Sequence, residues 1–152
     1  MSRIAKIKKD CISNGPGLRT AIFFSGCPHH CYNCFNKELW DYNIGKEVDF
    51  NDLDFIWNTI TEHTSGISFL GGEPLCPENI NGTLEIANQF KQKYPNKTIY
   101  LWTGYTIEQL DKNKLKNIDV LIDGQFKQEE YEYGLELRGS RNQRILYRGK
   151  DF

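Results

Sequence analysis

The chain has 152 residues, of which 39% are hydrophobic and 26% are charged. This composition fits one globular domain near the commonest size and excludes a two-domain enzyme. The 19 Lys and Arg residues nearly balance the 20 Asp and Glu residues, so the overall charge gives no reason to expect nucleic acid or an anionic membrane as a partner. No stretch reaches the roughly 18 uninterrupted apolar residues of a transmembrane helix. We expect a single cytoplasmic domain over residues 1–152.

Short apolar runs and helical stripes alternate along the chain. The runs, each ending near a glycine, predict buried strands over residues 20–25, 67–70, 98–102 and 118–122. Between them, apolar residues at helical spacing predict one helix with the stripe Leu53, Ile56, Trp57 and Ile60, and a second with Ile80, Leu84, Ala87, Phe90 and Tyr94. Thr106 and Gln109 have capping-box spacing and predict the start of a third helix.

This alternation predicts parallel crossover units and therefore the α/β class. A closed eightfold barrel usually needs about 250 residues, so we expect a partial, open β/α barrel with a mostly parallel sheet. The open edges must be covered by the terminal segments or by a partner. Because such sheets carry their chemistry in the loops after the strands, the candidate loops are 26–34, 71–77, 103–105 and 123–126.

Three of the five cysteines, Cys27, Cys31 and Cys34, have the spacing C-x3-C-x2-C. A secreted disulfide scaffold would usually spread an even number along the chain, so this cluster indicates a different chemistry. A structural zinc site needs a fourth ligand, to be recruited from His29, His30, Cys11 or Cys76.

Two other chemistries fit this loop. A redox pair at Cys31 and Cys34 would leave Cys27 without a role. An iron-sulfur cube held by three thiolates would leave one iron open to a small molecule. The segment Gly71-Gly72-Glu73-Pro74 after the next predicted strand could grip such a molecule, although a glycine pair alone also fits a tight turn.

Together these two loops resemble the radical S-adenosylmethionine enzymes, whose shared mark is a C-x3-C-x2-C loop followed by a GGE/D-P loop. Within that superfamily, four further segments resemble the activating enzymes of anaerobic ribonucleotide reductases. They are NGPG at 14–17, WTGY at 102–105, DVLIDG at 119–124 and RGSRNQ at 138–143. The resemblance runs nearly the full chain, and it disfavours two alternatives, another radical S-adenosylmethionine activating or modifying enzyme and a zinc-stabilised non-catalytic module.

The resemblance implies a 4Fe-4S cluster on Cys27, Cys31 and Cys34, with S-adenosylmethionine bound at the fourth iron. Reductive cleavage of that cofactor would give a 5'-deoxyadenosyl radical, which would take a hydrogen atom from a glycine of the reductase large subunit. A reducing electron donor is implied as well, and both a homodimer and a heterotetramer with the reductase are compatible. The expected cofactor-binding residues are Asn33, Cys34, Phe35, Gly71, Gly72 and Glu73.

Some of these residues carry two interpretations. Asn33 stands where the superfamily usually has an aromatic residue over the adenine, so the stacking partner is open. Glu73 could accept a hydrogen bond from the cofactor's ammonium group, or it could cap the helix predicted after Pro77. The segment 138–150 has five basic residues and no acid, which fits a solvated face, a docking surface for the reductase, or a clamp on a carboxylate of the cofactor. Cys11 and Cys76 are assigned to structure.

Overall fold

The computed structural model describes residues 2–152. A seven-stranded sheet has the order β3-β1-β2-β4-β5-β6-β7. The strands are β1 (Arg3–Cys11), β2 (Leu18–Phe24), β3 (Lys46–Glu47), β4 (Thr64–Gly71), β5 (Thr98–Trp102), β6 (Val120–Asp123) and β7 (Arg144–Tyr147), and the helices are α1 (Asp54–Trp57) and α2 (Ile80–Lys93). Single 3-10 turns lie at Lys37–Trp40, Ile107–Gln109, Lys112–Leu115 and Gln128–Glu130.

The four central strands, β2, β4, β5 and β6, pair in parallel. Their side chains are almost all buried, and every residue of β6 is buried, as expected for strands covered on both faces. All four are the strands predicted from apolar runs, with β4 beginning three residues earlier than expected. The prediction of a mostly parallel α/β sheet is confirmed.

The parallel strands are flanked by antiparallel strands, of which β1 and β7 come from the terminal segments and β3 comes from an internal loop. At one edge β1 pairs with β2, and β3 pairs with β1. At the other edge β7 pairs with β6. The expectation that terminal segments cover the open edges is confirmed for β1 and β7, whereas β3 adds an internal strand outside β1, and none of these three strands was predicted. Lysines interrupt the apolar pattern of β1, a composition that is typical of strands near a sheet edge.

The helices agree only in part with the prediction. Helix α2 is confirmed, and it buries Ile86, Ala87 and Phe90 against the sheet. Leu53 and Ile56 are buried as expected, but α1 is a single turn, because the Thr59 hydroxyl donates to the Ile56 carbonyl at 2.6 Å and competes with the helical bonds.

The third, shorter helix expected to begin at Thr106 does begin there with its Gln109 capping box, but it is a 3-10 turn rather than an α-helix. The segment that begins after Thr106 forms one 3-10 turn, Ile107–Gln109. Asp111 then accepts a bond from the Asn113 amide and begins a separate 3-10 turn, so the two turns do not join into one helix. Among residues 2–152, no helix has the length and apolar character needed to cross a bilayer.

Candidate functional site

The loops that follow the four parallel strands meet at a cavity of about 150 Å³. Cys27 follows β2, Glu73 follows β4, Gly104 follows β5 and Gly124 follows β6, and all four residues line the cavity. This confirms the prediction that the loops at the carboxyl ends of the strands lie together.

All three cysteines of the motif line this cavity as free thiols. The Cys34 amide donates to the Cys31 carbonyl at 3.1 Å. His30 and Asn33 have φ angles of 48° and 57°, so the loop turns through the left-handed region on both sides of Cys31. Among residues 2–152, no three His, Cys, Asp or Glu side chains form a site for a single metal ion.

The environment of the thiols favours their protonated forms when no metal is bound. Burial raises the pKa of the Cys27 thiol to about 11, and the nearby Glu73 carboxylate adds to that shift. Burial also raises the pKa of Cys31, and the charge of Cys34 is the second largest cause of that increase. Metal binding must therefore displace protons from these thiols. Three thiols with one open corner are a donor set that fits an iron-sulfur cube.

The glycine pair allows the loop after β4 to lie directly against the start of the cysteine loop. A Cβ on Gly72 would lie 2.2 Å from the Gly26 carbonyl oxygen, and Gly71 has a φ of 112°. The Gly72 amide donates to the Phe24 carbonyl at 2.9 Å, and the Glu73 amide donates to the Gly26 carbonyl at 2.7 Å. These contacts explain both glycines structurally, and their contact with a cofactor stays a prediction.

Glu73 is a buried carboxylate that holds three loops together. Its Oε1 accepts from the Gly104 amide at 2.7 Å and lies 2.8 Å from His29 Nε2. Its Oε2 accepts from the Thr103 hydroxyl at 2.7 Å and from the Leu75 amide at 2.9 Å. The helix-cap interpretation is wrong, because α2 begins after Asn79 and its cap makes no such bond. A contact between Glu73 and an ammonium group stays a prediction.

His29 had no predicted role, yet its side chain is only 8% exposed. Besides its contact with Glu73, its ring packs edge-on against Tyr105 with centroids 4.6 Å apart, and Gln125 Nε2 lies 3.3 Å from Nδ1. Gly104 makes room for this ring, since a Cβ there would lie 2.4 Å from it. His29 therefore joins the cysteine loop to the neighbouring strand ends.

The two residues predicted near the adenine lie at the outside of the cysteine loop. Asn33 is exposed, and its left-handed backbone accounts for an asparagine there, because Asn tolerates that conformation better than aromatic residues do. The Phe35 ring is 66% exposed and lies 4.9 Å from the Phe126 ring, in a groove that adjoins the cavity. Their role in cofactor binding stays a prediction.

The cavity also includes two tryptophans that the sequence did not single out as ligand contacts. Trp102 Nε1 donates to the Leu137 carbonyl at 2.7 Å. Trp40 Nε1 is buried and has no hydrogen-bond partner among residues 2–152. A buried donor of this kind at the cavity fits a site that receives a further group.

Part of the basic C-terminal segment has a structural function. Arg144 donates to both oxygens of the buried Asp123, at 2.9 Å and 2.5 Å, and so fixes the end of β6 beside the cavity. The Arg148 guanidinium donates to the carbonyls of Leu115 and Ile118. Three basic residues of the segment remain available for docking the reductase, namely Arg138, Arg141 and Lys150. The docking hypothesis stays a prediction.

Comparison with known proteins supports the site that the geometry indicates. Residues 13–146 match the family described as a 4Fe-4S single cluster domain. The fold is similar to the crystal structure of QueE from Escherichia coli, with a TM-score of 0.54 and 14% sequence identity, over 80% of this chain and 70% of that one. The fold and the site together define a protein of the 4Fe-4S single cluster class, built on a partial barrel.

Curated relatives narrow this class to one family. The anaerobic ribonucleoside-triphosphate reductase-activating protein of Vibrio cholerae is 40% identical over 88% of this chain and 90% of its own length. The proteins of the same name from Haemophilus influenzae and Escherichia coli K12 are 40% and 38% identical, over 91% and 87% of this chain and 93% and 90% of theirs. The chain belongs to the family of anaerobic ribonucleoside-triphosphate reductase-activating proteins.

Proposed function

We propose that this protein uses a 4Fe-4S cluster and S-adenosylmethionine to generate a glycyl radical on the large subunit of an anaerobic ribonucleotide reductase. The observation that carries the proposal is that Cys27, Cys31 and Cys34 line one cavity beside the Gly71–Gly72 loop. The names of the relatives, which describe proteins that activate such a reductase, support it further.

Cys27, Cys31 and Cys34 would hold three irons of the cube, and their thiols would give up their protons on binding. When bound, the cluster and S-adenosylmethionine supply the one-electron reductive cleavage that yields the hydrogen-abstracting radical, and a separate electron donor provides the electron. Leu70, Trp102 and Phe126 form apolar walls of the cavity, and such walls keep water away from reactive species.

Residues of the two loops would orient the cofactor. Gly71 and Gly72 contact its methionine part through the backbone, where the Gly72 carbonyl accepts no hydrogen bond from any described residue. Asn33 and Phe35 lie near the adenine. Glu73 is the carboxylate for the ammonium group, and because its buried oxygens already accept from Gly104, Thr103 and Leu75, binding requires one of these contacts to open.

Anaerobic reconstitution of the full chain tests the proposal. We expect about four irons per chain, cleavage of S-adenosylmethionine to 5'-deoxyadenosine on reduction, and a glycyl doublet by electron paramagnetic resonance when the reductase is added. Cys31→Ala should lose all three signals. Cys11→Ser is the matched control, because Cys11 is buried away from the cavity lining and its thiol bonds to the Asn14 side chain at 3.0 Å.

Two results would contradict the proposal. A colourless protein that binds one zinc per chain would support a structural zinc module instead. A reconstituted cluster that cleaves no S-adenosylmethionine on reduction would leave an electron carrier rather than an activating enzyme.

A further inference from the structure

The indole N–H of Trp40 is a hydrogen-bond donor without an acceptor among residues 2–152. Trp40 lines the same cavity as Cys27, Cys31 and Cys34. Its Nε1 is buried and has no partner within residues 2–152. A buried N–H that stays unpaired destabilises the folded state, so such a donor in a native protein calls for an acceptor from outside the chain, either an ordered water or a bound group.

The position of this donor is fixed by the cysteine loop itself. The Trp40 carbonyl accepts a bond from the Cys27 amide at 3.3 Å, and the preceding Leu39 carbonyl accepts from the Gly26 amide at 2.8 Å. The indole stacks on His30, with ring centroids 4.4 Å apart and planes within 9°. The ring is therefore held in place before any group binds at the thiols.

The other tryptophan at the cavity, Trp102, differs from Trp40 because its indole N–H already has an acceptor. Both indoles line the cavity, but the Trp102 N–H is already used by the Leu137 carbonyl at 2.7 Å. The acceptors that a 4Fe-4S cluster brings to this cavity are its sulfides and its coordinating thiolates.

We propose that the Trp40 indole N–H donates a hydrogen bond to a sulfur of the bound cluster and thereby raises the cluster's reduction potential. Reduction adds negative charge to the sulfurs, so a donor stabilises the reduced state more than the oxidised one. Trp40 is thus a residue that tunes the cluster. This inference rests on the proposed cluster at Cys27, Cys31 and Cys34.

The test is a redox titration of the reconstituted full chain, monitored by electron paramagnetic resonance. Trp40→Phe keeps the aromatic ring and removes the N–H, so its midpoint potential should shift to a more negative value at unchanged iron content. Trp57→Phe is the control, because Trp57 packs on Phe90 and Tyr94 in the core, and its midpoint should equal that of the wild type. An unshifted Trp40→Phe midpoint overturns this inference alone, whereas a wild type that binds no cluster overturns the proposed function as well.

A second measurement decides the question if Trp40→Phe fails to hold a cluster. Protein labelled with ¹⁵N at the indole nitrogen should show a ¹⁵N hyperfine coupling in pulsed spectra of the reduced cluster. The coupling should persist in labelled Trp102→Phe protein. Absence of the coupling in the wild type, or its loss in Trp102→Phe, overturns the assignment to Trp40.

Discussion

Replacement of Glu73 by Gln tests whether this carboxylate is a structural clamp. In the native protein each carboxylate oxygen receives one backbone N–H and one side-chain donor. Oε1 receives Gly104 N–H and His29, and Oε2 receives Leu75 N–H and the Thr103 hydroxyl. Gln has the same shape, but one of its two terminal atoms is an –NH2 donor.

The expected loss of stability follows from this pairing. The Thr103 hydroxyl can rotate and the His29 ring can change its tautomer, so each can accept a bond, but the two backbone amides can only donate. Whichever position the –NH2 group takes, one backbone N–H then faces another donor. An unsatisfied buried N–H costs about 1–3 kcal/mol, and loss of the charge weakens the remaining bonds by about 1 kcal/mol. We therefore expect Glu73→Gln to lower the free energy of unfolding by about 2–4 kcal/mol.

The assay is urea unfolding of the metal-free protein, so that cofactor binding does not contribute. In a thermal melt of the same metal-free protein, each kcal/mol of lost stability lowers the Tm of a chain of this size by about 2–4 °C. The Tm should therefore fall by roughly 5–15 °C. Glu129→Gln is the matched control, since Glu129 is exposed and its loss should change stability by less than about 0.5 kcal/mol. If Glu73→Gln unfolds within that margin of the wild type, the clamp reasoning fails and a role confined to the cofactor is favoured.

Two further substitutions probe the packing around the site. Gly72→Ala places a Cβ 2.2 Å from the Gly26 carbonyl oxygen, so it should lower stability by about 1–3 kcal/mol and reduce iron uptake on reconstitution; wild-type values for both would contradict the close approach. Burial raises the pKa of Cys76 from 9.0 to about 11, so the folded chain keeps this proton at a pH where the unfolded chain loses it. The free energy of unfolding should therefore fall by about 2–3 kcal/mol between pH values of about 9 and 11. Denaturant titrations of the metal-free chain should give a flatter profile for Cys76→Ala, and parallel profiles would show that Cys76 is not the source.

The core of the fold could be predicted because its signals are local. The parallel strands are short apolar runs with glycine behind them, and α2 carries one continuous stripe up to Tyr94. The edge strands escaped prediction because their pattern is weak: β1 alternates apolar residues with lysines, and β7 has only four residues. Their pairing depends on which strand ends the sheet, and local spacing does not contain that information.

The site residues also divide into those with a local sequence signal and those brought together only by the fold. The thiols of Cys27, Cys31 and Cys34 lie within eight residues, so their spacing alone predicted a common centre. The contact between His29 and Glu73 joins residues 44 positions apart, and it exists because β2 and β4 are neighbours in the sheet. Asn33 shows a third case, in which the residue type reflects a left-handed backbone rather than a side-chain contact.

The contacts of Glu73 couple the position of the cysteine loop to that of the glycine loop. The carboxylate reaches the cysteine loop through His29, its own loop through Leu75, and the loop after β5 through Gly104. Because the Glu73 amide also donates to the Gly26 carbonyl, a displacement of the glycine loop is passed directly to the residue before Cys27. In this chain the Gly71-Gly72-Glu73 segment thus helps to position the first thiol, and it makes these contacts without a bound cofactor.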